Sequence, residues 1–375
     1  MRRDEPHVIH VVPALFGPSG VAGGAERYGL ELARAMSHVV ATTLVTFGHR
    51  TVDDRDGALA IRVLGPAHYV RGQQNNPLTA RLLPALRHAA VVHCHQQHIL
   101  ASSLTAIYCR LTGRRVFVTD LGGGGWDISA YVSTDQWYHG HLHISQYSRR
   151  VAGHASNPKA HVILGGVDAD RFCPGSPAPR SGDVLFVGRI LPHKGLDYLI
   201  EALPPDLPLT VVGPPADEGY VGELKRLAVG KRVTFRHGVD DAALVDAYRR
   251  ARCVVLPSVY RTRYGQETRV PELLGQVLLE AMACATPVIA TKVASLGEVV
   301  DDGTTGFLVP PNDAAALRAK LEWFRERPAE AEAMGAAGRE RVTHHFTWPL
   351  VVTRCLSAYG LGHNGRWASA PRRGQ

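Results

Sequence analysis

From residue 7 onwards, short apolar runs rich in valine and isoleucine alternate with longer stretches of helical periodicity. That alternation leads to parallel sheets covered by helices on both faces. In the first half, strands are expected over 7–12, 41–45, 61–64, 90–93, 116–118 and 141–144, with a helix over 25–36 after the first of them. A second series is expected over 184–187, 209–212, 233–235, 253–256 and 288–290. Between the two lies Phe172-Cys173-Pro174-Gly175-Ser176-Pro177-Ala178-Pro179, a composition that reads as a linker and sets the boundary near 170–181. A chain of 375 residues exceeds the size at which one core usually splits. The fold class expected is therefore α/β, with two Rossmann-like doubly wound domains facing across a cleft. The first spans 1–172 and the second 181–345. A final helix over 346–360 crosses back to the first domain, and the polar, basic residues 361–375 form a disordered tail. Ligands of such sheets bind at the carboxyl ends of the strands, so the loops that follow the strands carry the candidate chemistry.

The six cysteines, at 94, 109, 173, 253, 284 and 355, show no C-x-x-C spacing, which suggests free thiols in a reducing compartment. No apolar run reaches the length of a membrane span, and the N-terminal residues carry no signal-peptide core, so a cytoplasmic location is expected. The formal charge of +8 is scattered over Arg149, Arg150, Arg180, Arg372, Arg373 and others without a nucleic-acid signature, and no nucleic-acid partner is expected. The segment 78–88, with Leu82, Leu83 and Leu86 interrupted by Arg81 and Arg87, reads as a core-facing helix. It also leaves peripheral contact with an anionic membrane open. His93, His95 and His98 straddle a strand end, which argues against a shared face, and no metal ligands are assigned. Nothing in the sequence bears on oligomeric state.

The residues richest in chemistry are Pro-Glu-Leu-Leu-Gly-Gln-Val-Leu-Leu-Glu at 271–280, with Glu272 and Glu280 on either side of Gly275. Eight helical residues rise about 12 Å. The unpaired N–H groups of a helix N-terminus between the carboxylates favour an anion, and Gly275 keeps bulk away from it. A ligand with hydroxyls at both ends and a diphosphate in the middle fits that spacing. An ordinary solvated pair of glutamates fits it too. The loop after the first strand carries Gly20, Gly23 and Gly24 and lacks G-x-G-x-x-G spacing; it reads equally as a phosphate approach or a tight turn. In Val187-Gly188-Arg189-Ile190-Leu191-Pro192-His193-Lys194-Gly195, Arg189 offers a fork and Lys194 a point charge to a phosphate group, although a solvated loop also contains such residues.

Taken in order, these pieces resemble glycosyltransferase family 4, retaining sugar-nucleotide transferases of the GT-B fold. The resemblance covers nearly the whole chain. It rests on Gly-Gly-Ala-Glu at 23–26, Gly-Gly-Val-Asp at 165–168 with Phe172, Val-Gly-Arg at 187–189, His-Lys-Gly at 193–195 and Val-Val-Gly at 211–213. It continues through Phe-Arg-His-Gly at 235–238, Leu-Pro-Ser at 256–258, the glutamate pair, Thr-Pro-Val-Ile-Ala at 286–290 and Gly-Phe-Leu-Val-Pro at 306–310. The resemblance implies that Glu272 contacts hydroxyls of the donor sugar and Glu280 the ribose. Gln276 and Val277, with Gly23, Gly24, Gly188, Arg189 and Lys194, hold the diphosphate, and His237, Gly238 and Val239 seat the base. The implied co-substrate is a nucleoside-diphosphate sugar (UDP, GDP or dTDP), the partner a hydroxyl acceptor bound by the first domain. The implied reaction is a front-face, retaining transfer without a further cofactor. A nucleotide-sugar epimerase and a catalytically silent nucleotide-sugar-binding partner are the alternatives.

Three departures stand out. Where many members of that family carry a histidine, this chain reads Thr119-Asp120-Leu121, so Asp120 either orients a sugar hydroxyl or the acceptor, acts as a base, or caps the following loop. Gly165-Gly166 stands where asparagine is usual. Residues 259–271, with Arg261, Arg263, Tyr264 and Arg269, form an insertion that either clamps an anion or lies solvated. A glycine-rich stretch at 122–125 followed by Trp126, Tyr131, Trp137 and Tyr138 offers aromatic rings for sugar stacking, with at least two of them expected in the core. Closure of the two domains over the donor is a further expectation.

Overall fold

The valine- and isoleucine-rich runs assemble into two separate sheets, and each expected strand is present with its ends moved by at most two residues. The computed structural model describes residues 6–13, 24–122, 124–175 and 182–367. Gly20, Gly23 and the linker residues 176–181 lie outside the described residues. The chain divides into two compact units: Met1–Ile144, Ala152–Gly166 and Trp348–Gln375 make the first, and Ser145–Val151 with Val167–Thr347 make the second.

In the first unit, β1 (His7–Val11), β2 (Ala41–Phe47), β3 (Val52–Asp56) and β4 (Leu59–Leu64) are followed by a two-residue pair, β5 (His68–Tyr69) and β6 (Pro77–Leu78). Then come β7 (Val91–Cys94), β8 (Arg115–Val118), β9 (Gly140–His143) and β10 (Ala160–Val162). The main sheet runs β10-β9-β8-β7-β1-β2-β4-β3 and is parallel except for the edge strand β3. Its central strands are buried along their length because helices cover them: α1 (Gly24–Ser37), α2 (Leu82–Ala85) and α3 (Leu100–Leu111). Helix α1 turns Tyr28, Leu32 and Met36 inward, a four-residue spacing that keeps one stripe on the core.

The second unit opens with α4 (Gln146–Val151) and contains β11 (Val184–Val187), β12 (Leu209–Val212), β13 (Val233–Arg236), β14 (Cys253–Leu256), β15 (Val288–Thr291) and β16 (Gly306–Val309). Its helices are α5 (Leu196–Ala202), α6 (Glu218–Leu227), α7 (Asp241–Arg250), α8 (Gln276–Ala283), α9 (Leu296–Val299), α10 (Ala314–Glu326) and α11 (Pro328–His345). The six strands are all parallel, in the order β13-β12-β11-β14-β15-β16. Numbered within the unit this is 3-2-1-4-5-6, the dinucleotide-fold order, with its switch point between β11 and β14. Asp217, Asp240 and Asp313 cap α6, α7 and α10 by accepting from the N–H three residues on. The core gathers Phe186, Leu199, Leu209, Ile289, Leu321 and Phe324, each buried side chain contributing about 1.5–3 kcal/mol.

Several expectations change. Residues 145–151 and 167–172 pack with the second unit instead of the first. The Glu298 carboxylate accepts from the N–H groups of Gln146 and Tyr147, both at 2.6 Å, and Ser145 Oγ donates to the Leu273 carbonyl at 2.7 Å. Helix α12 (Trp348–Tyr359) belongs to the first unit and packs on α1. The tail is ordered through Trp367: Leu361 and Trp367 form a bridge, and the Arg115 guanidinium lies 4.7 Å above the Trp367 ring. Residues 368–375 lie outside the described residues. The 78–88 segment keeps only the single turn α2, with Leu82 and Leu86 buried, because Pro84 and the short length prevent a longer helix. All six cysteines are free, and among the described residues no helix is long and apolar enough to cross a membrane.

Candidate functional site

At the switch point of the second sheet the loops after β11 and β14 start side by side, and they bring Lys194 and Glu272 together. Lys194 Nζ donates to Glu272 Oε1 at 2.6 Å, and Ser258 Oγ donates to the same oxygen at 2.7 Å. The two charged side chains are only 15% and 10% exposed. Lys194 is thus an ion-pair partner as well as a cation, which the sequence reading did not foresee. Ser258, which that reading left without a role, fixes the carboxylate from a second side.

The turn that carries Lys194 depends on Gly195, at φ 66°, where a Cβ would collide with the Pro257 carbonyl oxygen. His193 beside it is pushed down to about 4 by burial and then by Lys194, so it is neutral at physiological pH. Arg189 stands exposed two residues after β11 and makes no hydrogen bond or ion pair among the described residues. Gly188 and Gly213, at the ends of β11 and β12, both have positive φ. A Cβ on Gly213 would meet the Gly188 carbonyl, so neither loop can carry a side chain there.

Helix α8 starts at Gln276, and Glu272 sits in the loop before it, so the helical spacing expected between the two glutamates does not apply. Glu280 lies one turn inside the helix, about 6 Å along it from Gln276. It is 4% exposed, and its Oε2 accepts from Tyr248 Oη at 2.8 Å. Tyr248, on α7, is a partner that spacing along the chain cannot indicate. Gly275 precedes α8 at φ 86°, ψ 49° and brings no capping side chain, so the N–H groups of Gln276 and Val277 start a helix without a carboxylate or hydroxyl at its N-cap. A Cβ on Gly275 would lie 2.6 Å from Leu296 Cδ2. After β13, His237 is exposed and engages the Gly213 carbonyl through Nδ1 at 2.6 Å, with the half-buried Val239 two residues on.

Arg189, Lys194, His237, Val239, Glu272, Gly275, Gln276, Val277 and Glu280 therefore all lie in the second unit, whereas Gly24 and Asp120 lie in the first. Gly24 opens α1, with open space where a Cβ would stand. Asp120 follows β8, and its Oδ1 accepts from the Gly122 N–H at 3.4 Å, a loose cap of the glycine-rich loop.

The 259–271 insertion is largely exposed, as a solvated loop is, with Arg261, Tyr264 and Arg269 at the surface, but its Arg263 is tied down. Arg263 Nε meets Asp197 Oδ2 at 2.5 Å and its terminal nitrogen meets Glu201 at 2.7 Å, while Tyr220 Oη donates to Asp197 at 2.8 Å. Of the aromatic residues, Tyr138 is fully buried and Trp137 packs against the core. Trp126 and Tyr131 meet edge to face at 6.2 Å, with Arg71 4.3 Å above the Trp126 ring. The expectation that His93 and His95 do not share a face fails: they lie two residues apart at the end of β7, and their rings lie 4.3 Å apart, tilted, beside His10. His98 is elsewhere, bonded to Ser129.

The family model for glycosyl transferases group 1 matches residues 176–341. Alpha-maltose-1-phosphate synthase of Mycobacterium tuberculosis (strain CDC 1551 / Oshkosh) is 31% identical over 390 residues, covering 91% of this chain and 96% of that protein. Among solved structures, sucrose-phosphate synthase from Thermosynechococcus elongatus superposes with a TM-score of 0.74 at 21% identity, over 94% of this chain and 98% of that one. HepE of Anabaena, in complex with UDP and glucose, superposes with a TM-score of 0.71 at 18% identity, over 94% and 98% of the two chains. The fold is that of the GT-B enzymes, and with the matched family model and the full-length relative the chain belongs to the group 1 glycosyl transferases.

Proposed function

We propose that this glycosyltransferase takes a sugar from a nucleoside diphosphate and passes it, with retention of anomeric configuration, to a hydroxyl of a small-molecule, lipid-linked or polysaccharide acceptor. The observation that carries the reading is the juxtaposition at the switch point. Glu272 is held by Lys194 and Ser258 in the loop that leads into the N-terminus of α8, where Gly275 brings no capping side chain, and Arg189 stands exposed on the neighbouring loop. The α8 N-terminus suits a diphosphate. Lys194 has three donors, so it can keep Glu272 and still face a phosphate oxygen. Glu272 accepts from hydroxyls of the donor sugar, Glu280 serves the ribose, and the 237–239 loop seats the base.

In the reaction the bond between the anomeric carbon and the phosphate oxygen breaks as the acceptor oxygen bonds to the same face. The acceptor proton passes to the departing phosphate oxygen, so no carboxylate nucleophile is needed. Charge grows on the diphosphate during that step, and Arg189 and Lys194 stabilise it. Acceptor recognition is assigned to the first unit, with Asp120 orienting a hydroxyl and the Trp126 and Tyr131 rings offering a stacking surface.

Thermal denaturation with UDP, dTDP, GDP and ADP, in wild type and Arg189→Ala, tests the donor assignment. A ligand that binds only the native state raises the melting temperature. One nucleotide is expected to stabilise the wild type, with a smaller shift in the variant and an unchanged shift in EDTA. No shift with any nucleotide would overturn the reading, and a shift without sugar transfer to any acceptor would favour a silent binding partner. A nucleotide shift with interconversion of the donor sugar in the absence of acceptor would favour an epimerase.

A further inference from the structure

The histidine pattern of β9 places His141 and His143 on one side of the strand, and His154, from the segment before β10, packs against both. The His154 ring lies 4.2 Å from that of His141 and 5.2 Å from that of His143. Asp135, at the start of a short 3₁₀ turn before β9, completes the cluster, its Oδ2 3.4 Å from His154 Nε2. Asp135, His141 and His154 can each contribute one ligand atom, and the three atoms lie within 4.8 Å of one another.

The surrounding bonds orient the three side chains. His143 Nε2 meets His154 Nδ1 at 3.1 Å, which fixes the His154 ring and turns Nε2 toward Asp135. Gln97 donates to Asp135 Oδ1 at 2.6 Å and leaves Oδ2 facing His154. His141 Nε2 is 3.2 Å from the Asp135 carbonyl oxygen, to which its N–H donates, whereas its Nδ1 is buried without a hydrogen-bond partner. Bonds of about 2.0–2.2 Å in a tetrahedral zinc site place neighbouring ligand atoms about 3.4 Å apart, which matches the Asp135 to His154 separation.

We propose that Asp135, His141 and His154 form a binding site for a divalent transition-metal ion of the zinc type, a structural clip within the first unit that is separate from sugar transfer. Two imidazoles and one carboxylate are the donor set that borderline cations such as Zn²⁺ and Co²⁺ take. The Asp135 side chain is 45% exposed, which gives the ion a route in and leaves a fourth position to water. The other histidine cluster, His10, His93 and His95, is not a comparable site. It has no carboxylate to offset a dication, and both nitrogens of His93 are engaged by Thr119 and Tyr359.

The test is titration of chelator-stripped protein with Co²⁺, followed by its visible d–d bands, with competition by Zn²⁺ and melting curves with Zn²⁺ and with EDTA. The expected result is about one ion per chain and a higher melting temperature with Zn²⁺. His143→Gln is expected to weaken affinity about 10–100-fold, and His154→Gln and Asp135→Asn at least as much. Asp135→Asn is isosteric at a partly exposed position, so it keeps the proposal testable should His154→Gln unfold. Wild-type protein that takes up no Co²⁺, or Co²⁺ bands and Zn²⁺ stabilisation that persist in Asp135→Asn and His154→Gln, would overturn the proposal. Neither result bears on nucleotide binding, which the second unit supplies.

Discussion

Replacing Lys194 by alanine and Glu272 by glutamine, singly and together, measures how strongly the pair at the switch point depends on itself. At 2.6 Å two unit charges attract by about 6 kcal/mol at an effective dielectric constant of 20. Desolvation of two side chains that are 15% and 10% exposed returns much of that. In Lys194→Ala the carboxylate keeps its bond from Ser258 but loses its cation, for an expected loss of about 3 kcal/mol. Glu272→Gln strands the ammonium at an edge where water still reaches it, and costs about 2 kcal/mol. With both groups gone no uncompensated charge remains, so the double variant should lose only about 3 kcal/mol. The coupling is then about 2 kcal/mol, roughly 30-fold in the opening equilibrium. A chain of two units does not unfold in one step, so the readout is hydrogen exchange of the β11 and β14 peptides, which reports the opening of this sheet directly. A coupling below about 0.5 kcal/mol would refute the argument that the pair is desolvated and mutually required.

Further predictions follow from single positions. Gly275→Ala forces an alanine to φ 86° with its Cβ against Leu296, and should cost about 2–3 kcal/mol and reduce the nucleotide-induced melting shift. Gly238→Ala, at φ 66° in open space, should cost only about 1–2 kcal/mol; equal effects on hydrogen exchange of the second unit's strands would contradict the steric reading. Arg263→Ala leaves Asp197, whose side chain is 2% exposed, without its cation, and should destabilise the second unit by about 2–4 kcal/mol and open the 259–271 segment to limited proteolysis. His10 is pushed down to about 3 by burial, so between about pH 6.5 and 3 the unfolded chain binds the extra proton and stability falls as pH falls. The contribution is complete above the unfolded value and is lost towards the folded one. Its limiting slope is about 1.4 kcal/mol per pH unit, and His10→Gln should remove that slope in urea midpoints measured between about pH 4 and 7.

The order of amino acids is enough to specify the strands, because runs such as Val-Leu-Phe-Val at 184–187 and Cys-Val-Val-Leu at 253–256 are apolar on both faces and have no stable place except a parallel sheet covered twice. It also determined which loops follow the carboxyl ends of those strands, and hence that Arg189, Lys194 and Glu272 belong to one end of one sheet. Tertiary structure alone decided what those side chains meet. The bond between Lys194 and Glu272 spans 78 residues, that between Tyr248 and Glu280 joins two helices, and Arg263 reaches back to Asp197. No periodicity encodes such pairs, because they depend on strand order, and strand order places β14 beside β11 although β12 and β13 come between them in the chain. The same holds for α4, drawn into the second unit by a glutamate about 150 residues away, and for the histidines. His93 and His95 face the same way because a strand repeats every two residues, a rule available from the sequence. Which other histidine and which carboxylate stand opposite a given ring is set by neighbouring strands and loops, and only the folded chain brings Asp135, His141 and His154 within reach of one ion.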